Sequence, residues 1–226
     1  MKSSDDAKMA KKMHPMPFTR IEVVVLSIID SRLHVLLAKR AEAPYAGKWA
    51  LPGGVVRIDL DGSLESAAKR VVAERLGMEL PDMEQLCAVG GPKRDPRAAW
   101  ALSIVFRALV RIDKISANPG KRIKSLTWCP VSEAATDRSL AFDHADLIER
   151  AVKTTRAQTN AMNLPAGLLE KQFTLSDLQT TCEQILELKL DKSSFRRKLD
   201  SRDLVVPVAG ATKGGAFRPA QLYRLT

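Results

Sequence analysis

A chain of 226 residues with 45% apolar content has enough material for two cores of unequal size and is too apolar for a disordered polymer. Its 36 Lys plus Arg against 26 Asp plus Glu leave a net charge of +10, which points to a polyanionic partner. Cys87, Cys129 and Cys182 lie too far apart to suggest a disulfide framework or a zinc site, and the most apolar run, Val23 to Ile29, is too short to span a bilayer, so a cytoplasmic protein with no membrane partner is expected.

Residues 1–17 carry Lys2, Lys8, Lys11 and Lys12 with Asp5 and Asp6 and show no apolar period, which predicts a disordered basic leader. Phe18 to Ile29 is rich in β-branched residues, Asp30-Ser31 is a turn, and Leu33 to Ala38 continues as a second strand, so the pair reads as a hairpin. Pro44 to Lys48 is a loop leading into Trp49-Ala50-Leu51-Pro52-Gly53-Gly54. The next helix has Leu64, Ala67, Ala68, Val71, Val72 and Leu76 on one face and Glu65, Lys69, Arg70, Glu74 and Arg75 on the other. Ser63 is its expected N-cap and Gly77 its stop.

The Leu-Pro-Gly-Gly entry at 51–54 and the Arg70 to Met78 exit resemble a Nudix box, the loop and helix that hydrolyse nucleoside diphosphates linked to another group. In that family four acidic places surround the metal, and on this chain they fall on Gly62, Val71, Glu74 and Arg75. Several clustered carboxylates are needed because hard Mg²⁺ takes oxygen ligands and must neutralise a diphosphate under attack by water. Glu74 alone cannot do that, so no catalytic residue is assigned. The loop between Gly54 and Gly62 is also two residues longer than the family's usual one. Arg75 puts a fixed cation where an active enzyme holds a carboxylate, and it reads either as a phosphate ligand or as a solvated helix residue.

Leu86 to Val89 is a short predicted strand. It runs into Gly90-Gly91-Pro92-Lys93-Arg94-Asp95-Pro96-Arg97, where two glycines, two prolines and three cations in eight residues predict an irregular loop. Such a loop can hold phosphates on the planar forks of its arginines, or it can be a connector with Asp95 paired locally. Trp100 to Ile112 returns as a strand, Asn118 to Lys121 is a turn, and Leu126 to Val131 resembles the last Nudix strand. A helix then follows Asp143-His144 to about Arg156, with Asp143 as its expected cap and a capping or packing role for His144.

The loop from Pro92 to Arg97 behind a degenerate box resembles one branch of the superfamily, the Nudix-related transcriptional regulators of NAD metabolism. That branch keeps the Nudix fold, a mixed sheet between helices, as a sensor for ADP-ribose or a related NAD derivative, with a winged helix-turn-helix behind it. The resemblance implies an effector site at Gly53, Gly54, Arg70, Glu74, Arg75, Arg94, Asp95 and Arg97.

The second half of the chain fits that order. Residues 158–170 change composition and mark a linker between a sensor domain at 18–157 and a second domain at 171–226. Thr174 and Asp177 cap a helix with Leu175, Leu178, Cys182, Ile185 and Leu186 on its apolar side. Lys189 to Arg202 then holds six cations against two acids, a net +4 in fourteen residues. The second helix buries Phe195 and Leu199 and presents Lys192, Ser193, Ser194, Arg196, Arg197 and Lys198, residue types a recognition helix uses on bases and phosphates. Leu204 to Val206 and Gln221 to Leu225 read as two strands around a glycine-rich tip. They form a wing that brings Lys213 and Arg218 to DNA.

The expected fold class is therefore α/β, a Nudix fold followed by a C-terminal winged helix. The expected function is a homodimeric, DNA-binding repressor of NAD-biosynthesis or related genes that senses ADP-ribose, or else a sugar derivative, and requires no cofactor. An alternative is a Mg²⁺-dependent hydrolase of ADP-ribose or a related compound, with Glu65, Asp59 or Asp61 joining Glu74 around the metal. A third is a nucleic-acid-binding scaffold whose Nudix fold is purely structural.

Overall fold

The computed structural model of the protein describes residues 16–80, 82–214 and 219–226. The chain opens with the expected hairpin, β1 (Phe18–Ile29) and β2 (Arg32–Arg40). Both turn residues have positive φ, 46° at Asp30 and 63° at Ser31, which matches the right-handed twist of the flanking strands. Short strands β3 (Trp49–Ala50) and β4 (Gly53–Val55) lead to helix α1 (Leu64–Leu76). Next come β5 (Glu84–Pro92), β6 (Trp100–Leu109), β7 (Ile123–Pro130), the short α2 (Val131–Ala134) and α3 (His144–Asn160). The seven strands form one sheet in the order β3-β2-β1-β6-β5, with β4 paired to β1 and β7 to β2. β1 and β6 are parallel and the other pairs antiparallel, so the sheet is mixed.

β1 is apolar almost throughout because both of its faces are covered. Ile21, Val23 and Val25 pack against Val71, Val72 and Leu76 of α1. Val24 and Leu26 pack against Ile148, Ala151 and Val152 of α3. The caps of α1 fall where the sequence puts them. Ser63 accepts from the Ser66 amide while its own amide donates to Ser66 Oγ, and Gly77 ends α1 in the left-handed region at φ 61°.

Two expectations change here. Gly90, Gly91 and Pro92 are not irregular but continue β5, opposite Leu102, Ala101 and Trp100. Glycine is needed at 90 because the Trp100 ring lies 2.5 Å from where a Cβ would stand. Helix α3 also passes its expected end and stops at Asn160, and residues 158–170 are no loose linker. Met162, Leu168 and Leu169 are buried, a 3-10 turn spans Ala166–Leu168, and Arg111 pairs with Glu170 at 2.7 Å. A Cβ on Gly167 would sit 1.8 Å from the Leu109 carbonyl oxygen, which is backbone and cannot yield cheaply. Gly167→Ala is therefore expected to destabilise the protein by about 1–3 kcal/mol in urea unfolding.

The C-terminal unit consists of α4 (Leu175–Leu186), α5 (Lys192–Asp200) and the strands β8 (Val205–Lys213) and β9 (Ala220–Leu225). Thr174 and Asp177 form a reciprocal capping box at the start of α4. Phe173, Leu178, Cys182, Phe195 and Leu199 make its core. Burial pushes the Cys182 thiol up to about 12, so it behaves as an inert apolar group. β8 runs through Gly210 to Lys213, residues that were expected to lie in the glycine-rich tip. No helix among the described residues is long and apolar enough to cross a membrane.

Candidate functional site

A cleft opens where β1, β2 and β4 meet the C-terminal end of α1, lined among others by Arg20, Arg40, Arg75, Arg97 and Arg122. The space within it that a water molecule can occupy is about 40 Å³, so the cleft is narrow.

Arg75 does not lie on the outer face of α1. It is 9% exposed, and its Nε donates to the Gly53 carbonyl at 2.9 Å and its Nη1 to the Lys121 carbonyl at 2.8 Å. Burial moves its pKa down, and Arg122 and Arg20 add to the effect. The turn expected at 118–121 closes this end of the helix, since the Gly120 and Lys121 amides donate to the Arg75 and Glu74 carbonyls. Gly120 has no room for a Cβ, which would stand 2.3 Å from the Glu74 carbonyl oxygen.

Arg40 donates to the Pro44 carbonyl at 2.6 Å, and its guanidinium lies 5.1 Å from the Phe142 ring centroid. Burial lowers its pKa, followed by the charges of Arg20 and Arg97, so one cation is held among others. Arg97 pairs with Asp95 and stacks over Phe18 at 4.9 Å. Burial pushes the Asp95 carboxyl up, but its bonds to Arg97 outweigh this and hold it below the usual range. Arg122 pairs with Glu42 of the lining at 3.1 Å, so five guanidinium groups meet three carboxylates, Glu22, Glu42 and Asp95, and the excess of positive charge suits a polyanion.

Beneath the cleft, alternation along β1 puts Arg20 and Glu22 on the side facing α3. Arg20 Nε donates to Glu22 Oε1 at 2.8 Å, and both side chains are almost fully buried. Glu22 Oε2 stands 3.7 Å from His144 Nε2, while His144 Nδ1 accepts from the Leu51 amide at 2.8 Å. Gly53 must be glycine here, because a Cβ would lie 1.8 Å from Glu22 Oε2. Burial pushes the Glu22 carboxyl up, yet the Arg20 charge, with His144 nearby adding to it, outweighs this and holds it at about 2. A carboxyl whose folded pKa lies below its unfolded value stabilises the fold above the unfolded pKa and loses that contribution as pH falls through the folded one. Acid titration is thus expected to remove about 3 kcal/mol between about pH 4.5 and 2. Glu22→Gln should flatten urea-derived stability over that window.

Of the residues singled out in the sequence, Gly53, Gly54, Arg75 and Arg97 line the cleft, and Asp95 stands behind Arg97. Arg94 turns away to bind Asp143 at 2.7 and 2.8 Å, with Ser103 as a further partner. Asp143 precedes α3 but makes no side-chain cap bond, its carboxylate being held by Arg94. Arg70 is held by Asp61 at 2.7 and 2.8 Å, donates to the Val55 carbonyl, and pairs with Glu74 at 3.3 Å. The longer loop thus supplies Asp61 to Arg70, and neither Arg70 nor Glu74 lines the cleft. Arg20, Arg40 and Arg122 are cleft residues that the sequence reading missed. The available signal was Arg20 and Glu22 two apart in an otherwise apolar strand.

The residues do not fit a magnesium ion. Val71 is buried in the core, Arg75 fills the carboxylate's place, Glu74 is paired, and among the described residues no three His, Cys, Asp or Glu are grouped to hold a metal.

A second charged surface lies on α5. Asp191 caps it by accepting from the Ser194 amide, Phe195 and Leu199 face inward, and Lys192, Ser193, Arg196, Arg197 and Lys198 are exposed with Ser194 half-buried. Lys213 on β8 pairs with Asp177 at 3.0 Å. Arg218 lies outside the described residues. The helix order, the short second helix and the hairpin behind it suit insertion into a major groove.

Residues 18–151 match the NUDIX domain and residues 165–225 the NrtR DNA-binding winged helix domain. The chain is 34% identical over 225 residues to the ADPR responsive transcriptional repressor NtrR of Acinetobacter baylyi, covering 98% of this chain and 88% of that one. It is similar to Shewanella oneidensis NrtR crystallised with a 27mer DNA, at 32% identity and a TM-score of 0.77 over 92% of this chain and 93% of that one. It is also similar to the NUDIX domain of the same protein in complex with ADP ribose, at 29% identity and a TM-score of 0.59 over 68% of this chain and 99% of that one.

Proposed function

We propose that this chain, which belongs to the NrtR family of NUDIX transcriptional regulators, represses transcription by holding an operator through its winged helix and lets go when ADP-ribose enters its NUDIX domain. The observation that carries this reading is the cluster of five guanidinium groups in a cleft whose carboxylates cannot gather a metal. Such a cleft suits a pyrophosphate and lacks the means to cut it. Arg20, Arg40, Arg75, Arg97 and Arg122 are the phosphate-facing residues in this reading, with Gly53 and Gly54 letting the ligand approach the backbone. Asp95 orients Arg97. Arg94, Arg70 and Glu74 keep the surrounding loops in place.

The signal has a rigid carrier in α3. It begins two residues after Phe142, whose ring lies 5.1 Å from the guanidinium of the cleft's Arg40, and its other end contacts the winged helix. There Arg156 donates to the Ile185 carbonyl at 3.0 Å and pairs with Glu187, and Arg202 donates to the Ala161 carbonyl at 2.8 Å. A ligand that parts the cleft walls tilts α3, and α4 and α5 follow. We place the operator contacts on Lys192, Ser193, Ser194, Arg196, Arg197, Lys198, Lys213 and Arg218. A two-fold dimer then gives two recognition helices whose spacing the effector changes.

The test is affinity for fragments of the organism's own NAD-biosynthesis promoters at stated salt, with and without ADP-ribose. Sequence-selective binding that ADP-ribose weakens is expected. Equal binding to all sequences, or indifference to ADP-ribose, rejects the reading, as does ordinary Mg²⁺-dependent turnover of ADP-ribose that Glu74→Gln abolishes.

A further inference from the structure

A second hollow lies toward the other end of α3, between the start of β5, the end of β6 and residues 163–167, and it shares no lining residue with the arginine cleft. The space a water molecule can occupy in it is about 310 Å³, which reaches the lower end of the range for small-molecule sites, about 300–1,000 Å³. Its wall at 163–167 is pinned, because Gly167 stands too close to the Leu109 carbonyl for a larger residue. Arg107 lines the hollow. It is the one charged residue of β6 and is 4% exposed. A guanidinium in an apolar strand is costly to bury unless its protons are used. Here Nη1 donates to Thr155 Oγ1 at 2.8 Å, and Nη2 donates to Gln158 Oε1 and Glu84 Oε2, both at 2.5 Å. Gln158 Nε2 in turn donates to Glu84 Oε1 at 3.1 Å. Arg107 and Gln158 thus hold one carboxylate between them, and the one they hold is the chain's own, from the cross-strand neighbour of Arg107 on the edge strand. A structural ion pair would account for these bonds. It does not account for a Glu84 side chain 58% exposed opposite a buried cation, nor for Leu109, Leu164 and Pro165 lining the same hollow.

We propose that this hollow is a second ligand site, for a small organic carboxylate with an apolar body, and that Glu84 is its internal stand-in. The ligand's carboxylate replaces that of Glu84 on Arg107 and Gln158, and its body lies against Leu109, Leu164 and Pro165. Charge at the guanidinium is conserved, since one carboxylate leaves as another arrives. Glu84 is already largely in solvent and loses little by the exchange, while covering the apolar wall supplies the gain. A single negative charge is the right number, because Asp82 and Glu84 also line the hollow and repel a second. Thr155 and Gln158 belong to α3, and residues 163–167 lead on to Phe173 in the core of the winged helix. A ligand here therefore touches both the sheet of the NUDIX domain and the segment that enters the DNA-binding domain, whatever occupies the arginine cleft.

The experiment is thermal-shift and calorimetric titration of the full chain with benzoate, benzamide, acetate and inorganic phosphate, for the wild type, Glu84→Gln and Arg107→Gln. Benzoate should raise the melting temperature of the wild type saturably. Benzamide lacks the charge, acetate lacks the body and phosphate carries too much charge, so each should bind at least about tenfold more weakly. Glu84→Gln removes the internal competitor and leaves Arg107 short of a partner. It should melt lower than the wild type, bind benzoate about tenfold more tightly and regain its melting temperature at saturating benzoate. Arg107→Gln should abolish the benzoate response. If that variant does not fold, Glu84→Gln carries the test alone, since its side chain is exposed. No benzoate response in the wild type or Glu84→Gln would overturn the site, as would benzamide, acetate or phosphate binding as tightly as benzoate. Unchanged benzoate affinity in Glu84→Gln would place benzoate elsewhere on the protein and reduce Glu84–Arg107 to a structural pair.

Discussion

Arg75→Glu is expected to destabilise the NUDIX domain by about 3–5 kcal/mol and to abolish the response to ADP-ribose, without producing a hydrolase. The magnitude follows from two charge-assisted hydrogen bonds, to the Gly53 and Lys121 carbonyls, each worth about 1.5–3 kcal/mol when broken at a buried site. A carboxylate there would face the same two carbonyl oxygens with no proton to offer, so the loss is not offset. Restoring one acid also restores little chemistry. Gly62 has no side chain, Val71 is fully buried between Gly54 and the core, and Glu74 is bound to Arg70. Urea unfolding measures the first half of the expectation, and phosphate release from ADP-ribose with Mg²⁺ measures the second. Arg75→Lys should recover part of the stability, because an ammonium can reach one carbonyl but cannot fork to both. If Arg75→Glu unfolded like the wild type, the guanidinium would not be the staple between the β4 entry and the 118–121 turn.

That double attachment marks the limit of what the sequence disclosed. The amphipathic face of α1, its Ser63 and Gly77 ends, the β1–β2 hairpin and the capping box of α4 were all legible because each is a local pattern of a few residues. Arg75 was ambiguous because helical spacing puts it beside solvated neighbours, while the Gly53 and Lys121 carbonyls that draw it inward come from segments 22 and 46 residues away. Arg20 and Arg40 were passed over for the same reason. Each sits in or at the end of a strand whose pattern says only that it is half-buried, and their common cleft exists through β1–β2 pairing and the Phe142 contact. Arg94 shows the reverse error. A cation in a proline-rich loop looked available, and Asp143, 49 residues on, occupies it. The Asp61 carboxylate in the longer loop was weighed as a metal ligand, and its actual partner is Arg70. Competition among side chains for partners distant in sequence is what spacing alone cannot rank.

Replacing Arg196, Arg197 and Lys198 together by alanine is expected to lower operator affinity at least about 100-fold, at roughly 1 kcal/mol or more for each lost contact to phosphate or base. The slope of log affinity against log salt should shrink by about three per protomer if all three touch phosphates, and by less if one reads a base edge. Electrophoretic or fluorescence titration across a salt series separates these cases. Folding should be indifferent. All three residues are exposed, the helix is anchored by Phe195 and Leu199, and alanine is the better helix former, so stability should stay within about 0.5 kcal/mol. ADP-ribose affinity should also be unchanged, because α5 carries none of the residues that line the cleft. The triple variant therefore separates the two ends of the proposed switch. Loss of DNA binding with an intact ADP-ribose titration assigns α5 to the operator. Retention of operator affinity would move the DNA contacts to the wing around Lys213 and leave the net +4 of residues 189–202 as a solvated face.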